Sequence, residues 1–493
     1  MMNQTRFINH AVFLDSLAYL EIAVFILAFC LAVYFAHRGY ALEEACFVSK
    51  PACLLGRLSA VLIASSFVCA VPLIYIAAAS VSEGTELYFS CLAAAYFILR
   101  WLSLLLVSQS LGFLAGSLLK KTFVYLLAAP FAIIFSHLNG SFLSMFLNAD
   151  RMTVVSNLLS LQKPLIFGVD IDYAGPRVDL LFAVKCVLVL LFALFIASAA
   201  VAAAQKKFAP KTAAAMCSCL AVMALFCHIY ISIFPKGYSY EDKLYVTADR
   251  SGGYRVASYE GDIRLSEYGD YKCLVTVEKG RGDLMFRLDG VFEIEKLALE
   301  GRDVQYSRSG DFIIIPEKEI PDRASFSVEL LYGGRVSYRS DADSLNIYTS
   351  WFSSALPPNF AFIPLIDGDL SVKAYNFHVA CANTLISNLA VESGDGYTVS
   401  GKSNTFCLFC GFLTQFEKEG IIFYRAKYNK ATDYWGEYQS ALTRRYLIPH
   451  TYELAGGAIA KPQKVFMIYY LYGIVGNPVV FDDYILLNYG FPG

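Results

Sequence analysis

Long unbroken apolar runs fill the first half of the chain, and short alternating ones fill the second. One helical crossing of a bilayer takes about 20 apolar residues. Runs of that order are Leu14–Ala36, Leu54–Ala79, Leu87–Leu119, Thr122–Leu138, Val178–Ala204 and Ala213–Phe234, so the pattern predicts an α-helical membrane domain of about six transmembrane helices. The third run suits a tilted helix, or an outer helix ending near Arg100-Trp101 followed by a crossing. The fourth is short and contains Pro130, which neighbouring helices can tolerate. The first is too long for a signal peptide and lacks a small-residue cleavage site.

From Tyr238 the period drops to two. Tyr271–Glu278, Leu284–Leu288, Asp311–Ile315, Phe326–Tyr332, Ala374–Ala380, Tyr397–Ser400, Thr405–Leu413 and Ile421–Ala426 are short, alternating or β-branched, and Gly or charged clusters separate them. They predict an all-β sandwich or saddle of two sheets. Tyr438, Leu442 and Tyr446 then share one face of a predicted helix Tyr434–Leu447, followed by strands Val465–Leu471 and Tyr484–Asn488. The expected organisation is a membrane domain over 1–235, a β domain over 236–430, and a linker helix with strands over 431–493.

Charge sharpens this division. Residues 1–235 hold 14 Lys+Arg and 10 Asp+Glu, while residues 236–493 hold 26 and 32, so charge density doubles at the boundary. The net charge of -2 offers no basic face for nucleic acid. Basic residues mark the cytoplasmic loops of a membrane protein. They fall in alternate loops: Arg38, Lys50 and Arg57; Lys120 and Lys121; Lys206, Lys207 and Lys211. The loop Val81–Glu86 has only acidic charge, and Asn139–Arg177 is mixed. The expected location is a cell membrane, multi-pass, with the N-terminus and the C-terminal domain both extracytoplasmic. Glu21, Arg100, Lys185 and His228 lie inside spans, where charge is costly. Asp15 and Asp179 should mark outer ends, with Glu21 and Lys185 each six residues deeper, so a Glu21–Lys185 intramembrane pair is a candidate.

The outer half offers motifs but no catalytic constellation. Gly396, Gly401, Lys402 and Ser403 match the P-loop expression, yet Tyr397-Thr398-Val399 is itself strand-like and no helix signal follows, so the segment reads as a β-hairpin without nucleotide. Arg281-Gly282-Asp283 and Asp367-Gly368-Asp369 read as turns; no acidic ladder completes a calcium loop around the latter. Cys407-x-x-Cys410 has no second CxxC after residue 235 and reads as buried strand. The six His residues, His10, His37, His137, His228, His378 and His450, form no HExxH, and no Gly-x-Ser-x-Gly occurs. No catalytic residue, metal ligand or cofactor is assigned, and the chain is read as non-catalytic.

Two resemblances follow from the residues. His37-Arg38-Gly39-Tyr40-Ala41-Leu42-Glu43-Glu44, then Ser49-Lys50-Pro51 and Leu55-Gly56-Arg57-Leu58, resembles the loop and the Gly-basic helix start of permease subunits of type-2 ABC exporters. Leu111–Lys121 is similar to the end of their third span. In many such permeases a further span precedes this loop, and here it is expected to be missing. The resemblance implies a separate cytoplasmic ABC ATPase docked on Arg38, Lys50, Arg57, Lys120 and Lys121. The outer half resembles the N-terminal β domain of gluzincin zinc aminopeptidases, the leukotriene-hydrolase-like class. The matching residues run through Phe286–Gly290, Ile294–Leu297, Val304–Tyr306, Phe312–Pro316 and Val328–Gly334. They continue through Pro364–Asp369, Lys373–Tyr375, Ile386–Asn388 and the Tyr397–Gly401 hairpin. In that family a zinc-binding domain follows. Val465–Asn488 resembles its opening strands, and the chain is expected to stop before the zinc helix, as in bacterial fusions of a permease to an aminopeptidase-like domain cut short. The function read from these residues is a permease-like subunit of an ABC exporter with a non-catalytic aminopeptidase-like extracellular domain. Its partners would be the bilayer, the ATPase, and a second permease subunit or a catalytic peptidase half. The alternatives are a membrane-tethered peptide-binding module and the N-terminal piece of a split zinc aminopeptidase.

Overall fold

A computed structural model describes residues 10–37, 50–83, 87–119, 122–136, 138–161, 178–205, 210–237, 252–339, 345–358, 360–418, 420–427, 463–467, 479–480 and 484–487. The chain divides into two compact units, residues 1–167 with 176–234, and residues 168–175 with 235–493.

The first unit is helical: α1 (His10–His37), α2 (Lys50–Glu83), α3 (Leu87–Leu118), α4 (Ala128–Ile134), α5 (Asn139–Leu143), α6 (Ala149–Leu159), α7 (Leu180–Gln205) and α8 (Pro210–Ile233). The long helices are apolar around most of their circumference, as suits burial in a bundle or in lipid. Among the described residues, Leu20–His37, Leu87–Leu118, Leu180–Ala203 and Thr212–Ile233 are long and apolar enough to cross a membrane. α2 runs 34 residues through Pro72. α3 is one continuous helix of 32 residues, with Arg100 and Trp101 buried in its middle and no break there.

The expected fourth span is corrected. Thr122–Leu127 is a 3-10 turn leading into the seven residues of α4, and the apolar stretch ends at Ile134. Thirteen residues rise roughly 20 Å as helix, against about 30 Å of hydrocarbon. The segment climbs antiparallel to α1: Tyr125 packs on His37, Phe131 on Phe29 and Phe135 on Phe25. α5 and α6 then continue it, joined by Asn139, whose amide donates to Ile134 O at 2.8 Å and whose carbonyl accepts from Ser156 Oγ.

α3 is the axis of the bundle, with α1 and α7 packed along it around Phe25, Phe29, Phe97, Trp101, Leu104 and Val107. Close approach to α1 depends on Gly112 and Gly116. A Cβ at Gly112 would lie 2.5 Å from Phe29 O and 2.8 Å from the Ala32 Cβ, and one at Gly116 would lie 2.8 Å from the Ala36 Cβ. Small residues four apart let helices in lipid bring their backbones together.

The second unit is β-rich. Its largest sheet has eight strands in the order Ala390–Gly394, Gly396–Ser403, Lys373–Ala380, Arg255–Arg264, Gly269–Glu278, Ser325–Gly334, Phe292–Leu299 and Arg302–Asp303. Lys373–Ala380 pairs with Arg255–Arg264 in parallel and the other neighbours are antiparallel. Gly269–Glu278 alternates buried and exposed positions, burying Tyr271, Cys273, Val275 and Val277. A six-stranded sheet contains Thr384–Ser387, Leu408–Gly411 and Ser354–Leu356. Rings join the two sheets: Phe406, two residues before Leu408, stacks on Tyr375 and Phe377 at 5.1 and 5.3 Å between centroids. The expected strand Thr405–Leu413 is two strands, Leu408–Gly411 and Leu413–Lys418, because the chain changes sheets at buried Phe412. Leu413–Lys418 opens a five-stranded sheet with Ile421–Ala426, Lys464–Met467, Tyr484–Leu487 and Val479–Val480. The predicted helix Tyr434–Leu447 lies outside the described residues.

Candidate functional site

Three places in the helical unit and the β unit carry charge or polarity that the fold alone does not demand. The first is a buried ion pair in the bundle. Glu21 on α1 accepts from Arg100 on α3, Nη2 to Oε2, at 2.8 Å, with side-chain exposures of 1% and 3%. Arg100 also lies over the Tyr96 ring, 5.8 Å from its centroid. Lys185 on α7 is buried and within electrostatic range of Arg100. The carboxylate that the sequence offered to Lys185 is bonded to Arg100, and Lys185 is a third ionisable side chain buried in the bundle. The signal for Arg100 was present in the chain: it lies 20 residues before Lys120, as Glu21 lies 17 before Arg38, so their depths agree to within about one helical turn. The pair ties α1 to α3 with charges that move only at large cost.

The second is the opposite end of the same helices. His37, the last residue of α1, donates from Nε2 to Leu119 O at 2.8 Å. Ala32, Phe113 and Ala200 meet in a small buried cluster near it, with Phe35, Ala36 and Val201 against them. The C-terminal ends of α1, α3 and α7 therefore lie together. Arg38 follows His37, Lys120 follows Leu119, and Lys206 follows Gln205. Arg38, Lys120, Lys121, Lys206 and Lys207 lie outside the described residues, as do the side chains of Lys50 and Arg57 on α2.

At the other end Asp179 caps α7 by accepting from Phe182 N at 2.9 Å. Tyr230 donates to Asn157 Oδ1 on α6 at 2.8 Å.

The third place is in the β unit, where Arg287, Asp367, Asp369, Lys373, Tyr375 and Thr405 line a small cavity. Arg287 Nε is 3.0 Å from Asp367 Oδ1, and Lys373 Nζ is 3.5 Å from Asp369 Oδ2. Asp369 also accepts from Val256 N at 2.9 Å and Ser371 N at 3.0 Å. Burial pushes the Lys373 ammonium below its ordinary range, against the pull of Asp369. Both carboxylates of Asp367-Gly368-Asp369 thus serve the fold, around a Gly368 at φ 89. No group of three or more His, Cys, Asp or Glu able to hold a metal occurs among the described residues.

The P-loop match is a strand. Gly396–Ser403 pairs with Lys373–Ala380 on one side and Ala390–Gly394 on the other, so its amides serve two ladders. A phosphate cradle needs those amides free in a loop ahead of a helix. Lys402 is exposed, Ser403 is buried, and Gly396 at φ 92 makes the turn after Gly394. His378 is an exposed strand residue, and His450 lies outside the described residues.

No family model matches the chain. No curated protein matches it either. Among solved structures the chain is similar to a yeast LTA4 hydrolase, with a TM-score of 0.37 and 9% identity over 49% of this chain and 42% of that one. It is similar to an M1 zinc metallopeptidase from Deinococcus radiodurans, with a TM-score of 0.35 and 12% identity over 48% of this chain and 60% of that one. It is also similar to a Legionella pneumophila aminopeptidase A, with a TM-score of 0.34 and 18% identity over 50% of this chain and 32% of that one. The alignment spans about two fifths of the length of the yeast hydrolase. These neighbours are zinc aminopeptidase-like structures at low identity and partial coverage.

Proposed function

We propose that the chain is a permease-like membrane subunit of an ABC-type exporter, whose basic end docks a separate cytoplasmic ATPase and whose β unit is a non-catalytic binding domain on the outer side. One observation carries the reading. The His37–Leu119 hydrogen bond and the Ala32–Phe113–Ala200 contacts gather the starts of three basic loops at one end of the bundle. Short loops rich in Lys and Arg face the cytoplasm. Three such loops starting from one end of the bundle would give a nucleotide-hydrolysing partner a charged platform next to α1 and α3. These are the helices joined by the buried Glu21–Arg100 pair, so a push at the platform is delivered to a stiff element.

The experiment is purification of the full chain, tagged at the C-terminus, from its own membranes in mild detergent. An ATPase polypeptide recovered in stoichiometric amount, and lost from the Lys120→Glu/Lys121→Glu variant, is the expected result. Recovery of the chain alone would remove the exporter reading and favour a tethered peptide-binding module. Recovery with a second polypeptide that supplies aminopeptidase activity would favour the split-peptidase reading instead.

A further inference from the structure

Cys381 and Cys410 are separated by a hairpin and a strand in sequence but meet in the β unit. Lys373–Ala380 ends one residue before Cys381, and the chain turns into Thr384–Ser387. That strand pairs with Leu408–Gly411 so that Leu385 stands opposite Cys410. Both sulfurs then lie against one carbonyl: Cys381 Sγ is 3.3 Å and Cys410 Sγ 3.6 Å from Asn383 O. Asn383 is itself held, its side-chain amide donating to Phe352 O at 2.6 Å. Cys410 is buried and Cys381 half-buried, so one sulfur is reachable from solvent and the other backs it from inside. Nothing in the packing of a β-strand requires two thiols to share a carbonyl.

We propose that Cys381 and Cys410 are a redox pair that closes into a disulfide. The step is a two-electron oxidation of the pair by a disulfide-bearing oxidant. The Cys381 thiolate attacks the oxidant's S–S bond, forming a mixed disulfide and expelling one thiolate. Cys410 then gives up its proton and attacks the Cys381 sulfur, expelling the second thiolate. One protein S–S bond forms, one oxidant S–S bond is broken, and the two protons end on the two released thiols. The order is set locally: the neighbouring Cys410 holds the Cys381 thiol below its ordinary range, while the neighbouring Cys381 and burial push Cys410 well above it. The thiolate is the nucleophile in such exchange. The bond would join the end of a strand in the eight-stranded sheet to a strand of the six-stranded one, stapling the two sheets. Placement of the β unit in an oxidising compartment rests on the topology proposed above; the chemistry of the pair does not.

The test uses the full chain in detergent, incubated with oxidised glutathione, then denatured, alkylated with iodoacetamide, digested and analysed by mass. A Cys381–Cys410 linked peptide that disappears with dithiothreitol is expected, with Cys407 and Cys273 alkylated. In the structure Cys407 turns to Asn388 Oδ1 at 3.4 Å, and Cys273 is buried in the eight-stranded sheet. The oxidised protein should melt several degrees above the reduced one, and Cys381→Ser should abolish the difference. Full alkylation of both cysteines after the oxidant, or linkage of Cys410 to Cys407, would overturn the proposal. Alkylation in intact cells separates it from the topology: a pair reduced in cells yet linked by glutathione keeps the redox site and refutes the outer placement.

Discussion

Glu21 and Arg100 show what a buried charge requires. A carboxylate removed from water is tolerated only when it is paired and hydrogen-bonded, and the Arg100 guanidinium at 2.8 Å does this. Removing one partner takes the closest counter-charge from the other. Glu21→Ala would remove the carboxylate that Arg100 bonds at 2.8 Å, and Lys185 is a further buried ionisable side chain on α7. The substitution should therefore cost about 3 kcal/mol or more, as breaking a buried pair does. The double variant Glu21→Ala/Arg100→Ala should cost less than the two single losses added together, because neither charge is then left behind. An unfolding titration of the full chain in mixed detergent micelles reads both values, and strict additivity would show that the pair is not coupled. At this scale the sequence carried the members of the site but not the pairing. Glu21, Arg100 and Lys185 stand out as rare charges in apolar runs, whereas their partners depend on which helices touch. A residue's depth can be counted from the nearest basic loop; its azimuth around the helix cannot.

Helices and strands were legible to different degrees for physical reasons. Ile421–Ala426 is a strand over the residues that its pattern marked, Gly269–Glu278 begins two residues before its predicted run and ends with it, and Ser325–Gly334 extends its predicted run by one residue at the start and two at the end. Gly269–Glu278 alternates throughout because one face is buried. Arg255–Arg264 gave no clear alternation, since Gly261 lies within it, close against the neighbouring strand. There a Cβ would stand 1.9 Å from Lys272 O. Thr122–Leu138 was misread as a span because hydropathy records apolarity and not continuity; the 3-10 turn and Pro130 in the short α4 break it. The packing of α3 on α1 was also invisible, though its cause lies in Gly112 and Gly116. Gly112→Leu should destabilise the bundle by about 1–3 kcal/mol, the usual range for overpacking, because the nearest atom is backbone oxygen and cannot give way. Gly56→Ala on α2, where a Cβ would meet nothing within 4 Å, should be neutral or stabilising by up to about 1 kcal/mol. The same unfolding titration distinguishes them, and equal effects would mean that the glycines do not set the helix spacing.

For the whole molecule the broken fourth segment decides which way the chain leaves the bundle. If Thr122–Ile134 merely dipped in and returned, α7 would start at the basic end and α8 would finish there. The contacts say otherwise. The segment begins beside His37 and rises past Phe29 to Phe25, and α6 carries it on to Tyr230 in the last turn of α8. α7 then starts at that far end, with Phe182 against Tyr96 and Lys185 near Arg100, and descends to Ala200 beside Phe113. Among the described residues four helices are long enough to cross, the fourth segment advances along the bundle in pieces, and α8 runs from the end where α7 finishes toward the end where Asn157 meets Tyr230. Under the orientation proposed above, with basic loops on the cytoplasmic side, the β unit is expected outside. The check is labelling of single cysteines in a cysteine-depleted background with a membrane-impermeant maleimide. Lys402→Cys, on an exposed strand position, should label in intact cells, and Lys206→Cys only after the membrane is opened. The reverse pattern would place the basic loops outside and invert the orientation. Labelling of both in intact cells would mean that the loop after α7 and the β unit share the outer side, and the passage between them would then be lost.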